Sequence, residues 1–94
     1  MTTHILTENE IMEKVSNWKF RKNGIELAIA FTDFNKAFSF MTSIALMAEK
    51  ADHHPEWSNA YNKVKIRWST HSAGGVTVKD IKMAKAINEK LKSI

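Results

Sequence analysis

Three histidines are the residues of this sequence whose type and spacing best suit them to chemistry. His53 and His54 are adjacent and precede Pro55, and His71 lies farther along in a polar segment. Imidazole titrates near pH 6.5, roughly, so it can donate a proton to a leaving group and accept one from a substrate at neutral pH. Since proline holds the preceding residue in an extended conformation, we expect the adjacent imidazoles to project differently and to line a pocket with separate roles. A surface or turn position would account for any one of them taken alone.

Metal binding and thiolate chemistry are the alternatives to acid-base chemistry. Three carboxylates, Glu49, Asp52 and Glu56, accompany the histidines and could complete a metal site. However, the sequence has neither a His-x-His pair nor a helical His-x-x-x-His pair, so we expect no metal. The absence of cysteine excludes thiolate catalysis and disulfides.

The elements that must position these residues begin with a helix and a hairpin. Residues 7–10 have the form of a capping box, which predicts the start of a short helix. Alternating apolar residues over 18–21 and 25–31 predict two strands, with Asn23-Gly24 supplying a left-handed turn between them.

The long middle segment has helical periodicity. Its apolar stripe predicts a helix from Phe34 to about Lys50, with these residues on one face: Phe34, Ala37, Phe38, Met41, Ile44, Ala45 and Ala48. Phe40 and Met47 fall off that stripe. We therefore expect them to form a second buried contact, for example between subunits.

The last third of the chain repeats the hairpin-then-helix order. Pro55 ends the helical pattern, and residues 57–61 and 64–68 alternate as two strands about a turn at Asn62. Thr77 to Asp80 is a second capping signature, which opens a terminal helix. We predict one α+β domain over residues 1–94, in the order α-β-β-α-β-β-α, with a four-stranded antiparallel sheet and three helices packed on one face.

Charge and hydropathy bear on location and partners. The net charge is +4 across 94 residues, but the lysines are spread along the chain, so we expect a solvated surface and no nucleic acid partner. There is no apolar run of the roughly 18 residues that a membrane span needs, and the first residues lack a secretory pattern. We expect a cytoplasmic protein with no membrane partner.

A spaced set of residues resembles the pterin-4a-carbinolamine dehydratase family. It consists of residues 49–57, Asn59, residues 61–64, residues 69–71 and Asp80, and residues 31–38 and 40–42 extend the similarity to nearly the whole chain. The resemblance implies removal of water from a 4a-hydroxytetrahydropterin to give quinonoid dihydropterin, in tetrahydrobiopterin recycling. It implies no metal or organic cofactor.

Site residues follow from the resemblance. It implies that His53 and His71 carry acid-base catalysis and that His54 holds the pterin ring. Asp80 completes the catalytic set by orienting His71, although its capping position would account for it without that role. The implied substrate contacts are Asp52, His53, His54, Pro55, Trp57, Ser69, Thr70, His71 and Ser72.

The resemblance also implies partners. Members form homodimers or homotetramers, through sheet edges and through the long helix, and they are linked to an aromatic amino acid hydroxylase. Some members also act as a dimerisation cofactor of a homeodomain transcription factor, so a non-catalytic binding module is the alternative function.

Overall fold

The fold is a four-stranded antiparallel sheet with three helices. The computed structural model describes residues 4–93. Its elements, in chain order, are α1 (Glu8–Lys14), β1 (Lys19–Arg21), β2 (Gly24–Ala30), α2 (Phe34–Ala51), β3 (Glu56–Ala60), β4 (Lys63–Trp68) and α3 (Val78–Lys92). The strands lie in the order β1-β2-β4-β3, and each neighbouring pair is antiparallel. The predicted fold class and element order are confirmed.

Both predicted capping boxes are present. The Thr7 hydroxyl accepts from the Glu10 backbone N–H, and the Glu10 carboxylate accepts from the Thr7 backbone N–H, so α1 begins where the sequence predicts. Thr77 and Asp80 make the same reciprocal pair at the start of α3. These bonds satisfy N–H groups that have no partner within the helix.

Strand alternation gives the sheet one apolar and one polar face. Ile25, Val64, Ile66 and Trp68 are buried on the face that α2 and α3 cover. On the opposite face, charged residues such as Lys63 and Lys65 are exposed. Among residues 4–93, one cluster of buried side chains therefore lies between the sheet and the helices.

The prediction for the buried face of α2 was partly wrong. Phe40 is only 5% exposed and packs against Phe31 with 5.1 Å between ring centroids, so it belongs to the core. Met47 also packs against the core. Phe34 and Phe38 lie outside instead, 48% and 54% exposed. The buried face follows Ala37, Phe40, Ile44 and Ala48, a 3-4-4 spacing that the abundance of apolar residues on this helix obscured.

The first hairpin turns one residue earlier than predicted. Lys22 and Asn23 have φ angles of 48° and 63°, the pair of positive values that a type I′ turn requires. Gly24 is the first residue of β2, where a Cβ would clash with the guanidinium group of Arg67. Glycine permits this close approach of the Arg67 side chain, and it is not required here for a left-handed backbone.

Over residues 4–93, no helix combines the length and the apolar character that crossing a bilayer demands.

Candidate active site

The end of α2 places the first of the histidines. Asp52 lies in the left-handed region (φ 52°, ψ 42°), its backbone N–H donates to the Glu49 carbonyl, and the His53 N–H donates to the Ala48 carbonyl. These two bonds form a Schellman motif. The motif turns the chain sharply, so that His53 points back toward the start of α3.

His53 pairs with a buried carboxylate on α3. Its Nε2 lies 2.5 Å from Asp80 Oδ1, and the side chains are 14% and 0% exposed. Asp80 also accepts, at Oδ2, from the Thr77 backbone N–H at 2.9 Å and from the Thr70 hydroxyl at 2.7 Å. The capping carboxylate therefore has a second function, which is to hold an imidazole.

The hydrogen bonds around Asp80 define which nitrogen of His53 carries a proton. The Thr70 hydroxyl donates its proton to Asp80 Oδ2. In the 2.8 Å contact between the Thr70 and Thr77 hydroxyls, the Thr77 hydroxyl is therefore the donor. An ionised carboxylate only accepts hydrogen bonds. With Asp80 ionised, His53 Nε2–H donates to Oδ1, and Nδ1 is then the ring nitrogen left to exchange a proton with a substrate.

A tryptophan from β4 packs against the same imidazole. The rings of His53 and Trp68 stack with centroids 5.5 Å apart and planes inclined by 21°. Trp68 is fully buried. His53 is thus held both at its edge, by Asp80, and on its face.

The other two histidines pair with exposed glutamates. His54 Nε2 lies 2.9 Å from Glu49 Oε1, and His71 Nε2 lies 3.2 Å from Glu56 Oε1. The His54 and His71 side chains are 56% and 77% exposed. Exposed contacts of this kind contribute little to stability even between opposite charges, so these two imidazoles are freer to reorient than His53. Asp80 contacts His53 and not His71, which corrects the predicted pairing.

All three imidazoles line one cavity of about 310 Å³. It also includes most of the predicted substrate contacts, but Pro55 and Trp57 are not part of it. Trp57 packs instead against the core, opposite Ile66 on β4. The lining is Asp52, His53, His54, Glu56, Ser69, Thr70, His71, Ser72 and Lys79.

Three residues of this region were missed in the predicted site. Lys79 follows Thr77, the N-cap residue of α3, by two positions. Glu56 is the first residue of β3, and strand alternation places its side chain on the face opposite to that of Trp57, which could have been used to predict its position. Trp68 was expected in the core, and its contact with His53 depends on how α2 ends, which the sequence pattern does not give.

A larger cleft lies away from the histidines. It has a volume of about 420 Å³ and is lined by Lys36, Ser39, Phe40, Ser43, Lys90 and Ser93 of α2 and the end of the chain. Its described lining has cations and hydroxyls but no imidazole or carboxylate, so it lacks an acid-base pair. Volume alone therefore does not select the site. Within residues 4–93, no three histidine or acidic side chains converge closely enough to hold a metal ion.

Comparisons with known proteins identify the family to which the chain is similar. A family model described as Pterin 4 alpha carbinolamine dehydratase matches residues 4–90. Relatives from Prochlorococcus marinus (strain MIT 9515) and Rhodopseudomonas palustris (strain HaA2), both named "Putative pterin-4-alpha-carbinolamine dehydratase", are each 48% identical, over 92 and 81 residues. These matches span 95% and 84% of this chain and 96% and 80% of the relatives.

A solved structure is also similar. The crystal structure of a transcriptional coactivator/pterin dehydratase from Brucella melitensis has a TM-score of 0.86 and 45% identity, and the match covers 92% of this chain and 97% of that one. The chain belongs to the pterin-4a-carbinolamine dehydratase family.

Proposed function

We propose that this protein dehydrates 4a-hydroxytetrahydropterins to quinonoid dihydropterins by histidine acid-base catalysis. The observation that carries the proposal is the convergence of His53, His54 and His71 on one cavity, with His53 anchored to buried Asp80. The cavity volume of about 310 Å³ lies at the lower end of the roughly 300–1,000 Å³ range of small-ligand sites. That size suits a bicyclic pterin.

The reaction requires two coordinated proton transfers. The C4a–O bond breaks, the N5 lone pair forms the C4a=N5 double bond, the departing hydroxide takes a proton to become water, and N5 loses its proton. Hydroxide leaves poorly without that proton. A positioned imidazolium contributes about 10²- to 10⁴-fold, or roughly 3 to 5 kcal/mol of barrier. The reaction needs neither a metal nor an organic cofactor.

His53 and His71 carry the two transfers in this proposal. His53 offers Nδ1 because its Nε2 is committed to Asp80, and His71 approaches from the loop after β4. One imidazole protonates the leaving oxygen while the other accepts the N5 proton, so the pair returns to its starting protonation through exchange with solvent. His54 and Asp52 hold the pterin ring at the cavity wall.

Single histidine variants test this assignment. In His53→Ala and His71→Ala, kcat for dehydration should fall by about 10²- to 10⁴-fold. His4→Ala is the matched control, because His4 is an exposed histidine that pairs with Glu10 on α1, and its kcat should stay at the wild-type value. Wild-type rates in both site variants, with pterin binding intact, would end the assignment.

The substrate of this reaction, a 4a-hydroxy adduct, is a product of an aromatic amino acid hydroxylase. We propose this role, in cytoplasmic tetrahydrobiopterin recycling, because the quinonoid product is the form that a reductase can return to tetrahydropterin. The hydroxylase would be the source of substrate and need not bind the dehydratase.

The exposed face of α2 supports assembly with a second copy. Phe34 and Phe38 stack on each other at 5.7 Å between centroids, and Leu46 on the same helix is 70% exposed. We propose that this face pairs with its equivalent in a homodimer or homotetramer, since apolar surface of this kind is costly in water. Sedimentation should show a smaller species for Leu46→Lys than for wild type, and an unchanged mass would refute the pairing.

A non-catalytic binding role is the second candidate. It is favoured by the same α2 face and by the similarity to the Brucella melitensis protein, which is described as a transcriptional coactivator as well as a pterin dehydratase. The two candidates differ in what they need from the cavity. Wild-type protein that binds a homeodomain protein through α2 but gives no dehydration above the uncatalysed rate would support this role over the enzyme.

A further inference from the structure

The stack between Trp68 and His53 has no role in the proton transfers described above. We propose that Trp68 is a positioning residue for the dehydration reaction, in that its indole fixes the plane of the His53 ring and so the direction of Nδ1. This inference rests on the proposed function for its catalytic consequence. Its structural part, the fixed ring, concerns His53 alone.

One hydrogen bond is not enough to hold an imidazole in a defined plane. The Asp80 carboxylate fixes only the Nε2 edge of the ring, and the last side-chain torsion of histidine is intrinsically broad. The ring could therefore swing about its Nε2 contact and carry Nδ1 with it. The buried indole, 5.5 Å away between centroids and inclined by 21°, occupies the face into which the ring would swing.

The way Trp68 is held makes the proposal testable. Its buried indole Nε1 has no hydrogen-bond partner among residues 4–93. Trp68→Phe therefore removes no hydrogen bond within the described chain and keeps an aromatic face toward His53. Trp68→Leu removes that face.

Trp18 provides the matched control for loss of a core tryptophan. It is also buried, but its Nε1 donates to Asn88 Oδ1 at 2.9 Å. Asn88 lies eight positions after Asp80 on α3, which is about 12 Å along a helix. Trp18→Leu thus perturbs the core at a distance from His53.

The experiment combines steady-state kinetics with NMR of the histidine side chains in all three variants, each confirmed to be folded by circular dichroism. In Trp68→Leu, kcat should fall by about 10- to 100-fold with KM changed by less than about threefold, because a misplaced catalytic group loses rate more than binding. Trp68→Phe and Trp18→Leu should keep kcat within about threefold of wild type.

The nitrogen signals of His53 give a readout that does not depend on turnover. Wild type and Trp68→Phe should show one Nε2–H tautomer, and Trp68→Leu should show averaged signals of a mobile ring. A folded Trp68→Leu protein with wild-type kcat and one tautomer would overturn the proposal, as would equal losses in the Phe and Leu variants. If wild type itself fails to dehydrate the substrate, the proposed function fails, while the NMR comparison still decides whether Trp68 fixes the ring.

Discussion

Replacing Asp80 by asparagine should invert the tautomer of His53 while preserving the shape of the site. The Thr77 backbone N–H and the Thr70 hydroxyl both donate to Oδ2, so the amide oxygen of the variant must face them. Its NH₂ group then faces His53 Nε2 in place of Oδ1. Since that NH₂ can only donate, Nε2 must accept and the imidazole proton moves to Nδ1.

The magnitudes follow from these contacts. All three hydrogen bonds to the Asp80 carboxylate change from bonds to a charged group, which contribute about 1.5 to 3 kcal/mol each, to neutral ones, which contribute about 0.5 to 1.5 kcal/mol each, so the free energy of unfolding should fall by about 3 to 4 kcal/mol. A domain stable by roughly 5 to 15 kcal/mol stays folded after such a loss. The wrong tautomer should lower kcat by about 10²- to 10⁴-fold.

Urea denaturation, dehydration kinetics and NMR of the His53 nitrogens measure the three effects. Glu49→Gln makes the same chemical change beside His54, where the carboxylate is 81% exposed, and should alter the free energy of unfolding by less than about 0.5 kcal/mol. An Asp80→Asn protein that keeps the Nε2–H tautomer and a kcat near that of wild type would contradict this prediction.

Three further variants test local features of the fold. Asp52→Gly puts glycine at a position with a left-handed backbone, where glycine has no steric cost, so the free energy of unfolding should change by only about 0 to 1 kcal/mol. KM for the pterin should rise because Asp52 lines the cavity, and a large loss of stability in urea would contradict the prediction. Gly24→Ala displaces the Arg67 guanidinium from its hydrogen bonds to the turn, so the free energy of unfolding measured in urea should fall by about 1 to 2 kcal/mol. An unchanged urea midpoint would show that these bonds of Arg67 do not stabilise the fold. The backbone hydrogen bond from Thr7 lowers the pKa of Glu10, so this residue stabilises the fold above the unfolded pKa and loses that contribution as pH falls through the folded value. Glu10→Gln should therefore lower stability at pH 7 but not at about pH 3, and equal losses at both pH values would contradict it.

Local patterns in the sequence were sufficient to predict the helices and strands but not the buried face of every helix. Capping boxes and strand alternation act over a few residues, and for this reason the starts of α1 and α3 and both hairpins were predictable. The buried face of α2 was not predictable, because this helix has more apolar residues than the sheet covers, and Phe34, Phe38 and Leu46 remain exposed. Which apolar residues of α2 enter the core depends on what the helix packs against. Phe40, for example, packs against Phe31.

The three histidines of the candidate site were predictable, but part of the cavity lining and the pairing of the side chains were not. His53, His54 and His71 were identifiable from their type and from the family resemblance, and they do line one cavity. The partner of Asp80 depends on the Schellman turn at Asp52, a local turn that the sequence does not signal because an aspartate stands where glycine is usual. The stack of His53 on Trp68 was not predictable either, because strand alternation identifies a core tryptophan without identifying its neighbours.

The most direct test of the account is stopped-flow spectrophotometry of an enzymatically generated 4a-hydroxytetrahydropterin with the wild-type protein. We predict that the intermediate decays to quinonoid dihydropterin at a rate proportional to protein concentration and that the rate constant collapses in a protein lacking both His53 and His71. Decay at the buffer rate, whatever the protein concentration, would contradict acid-base catalysis by these imidazoles.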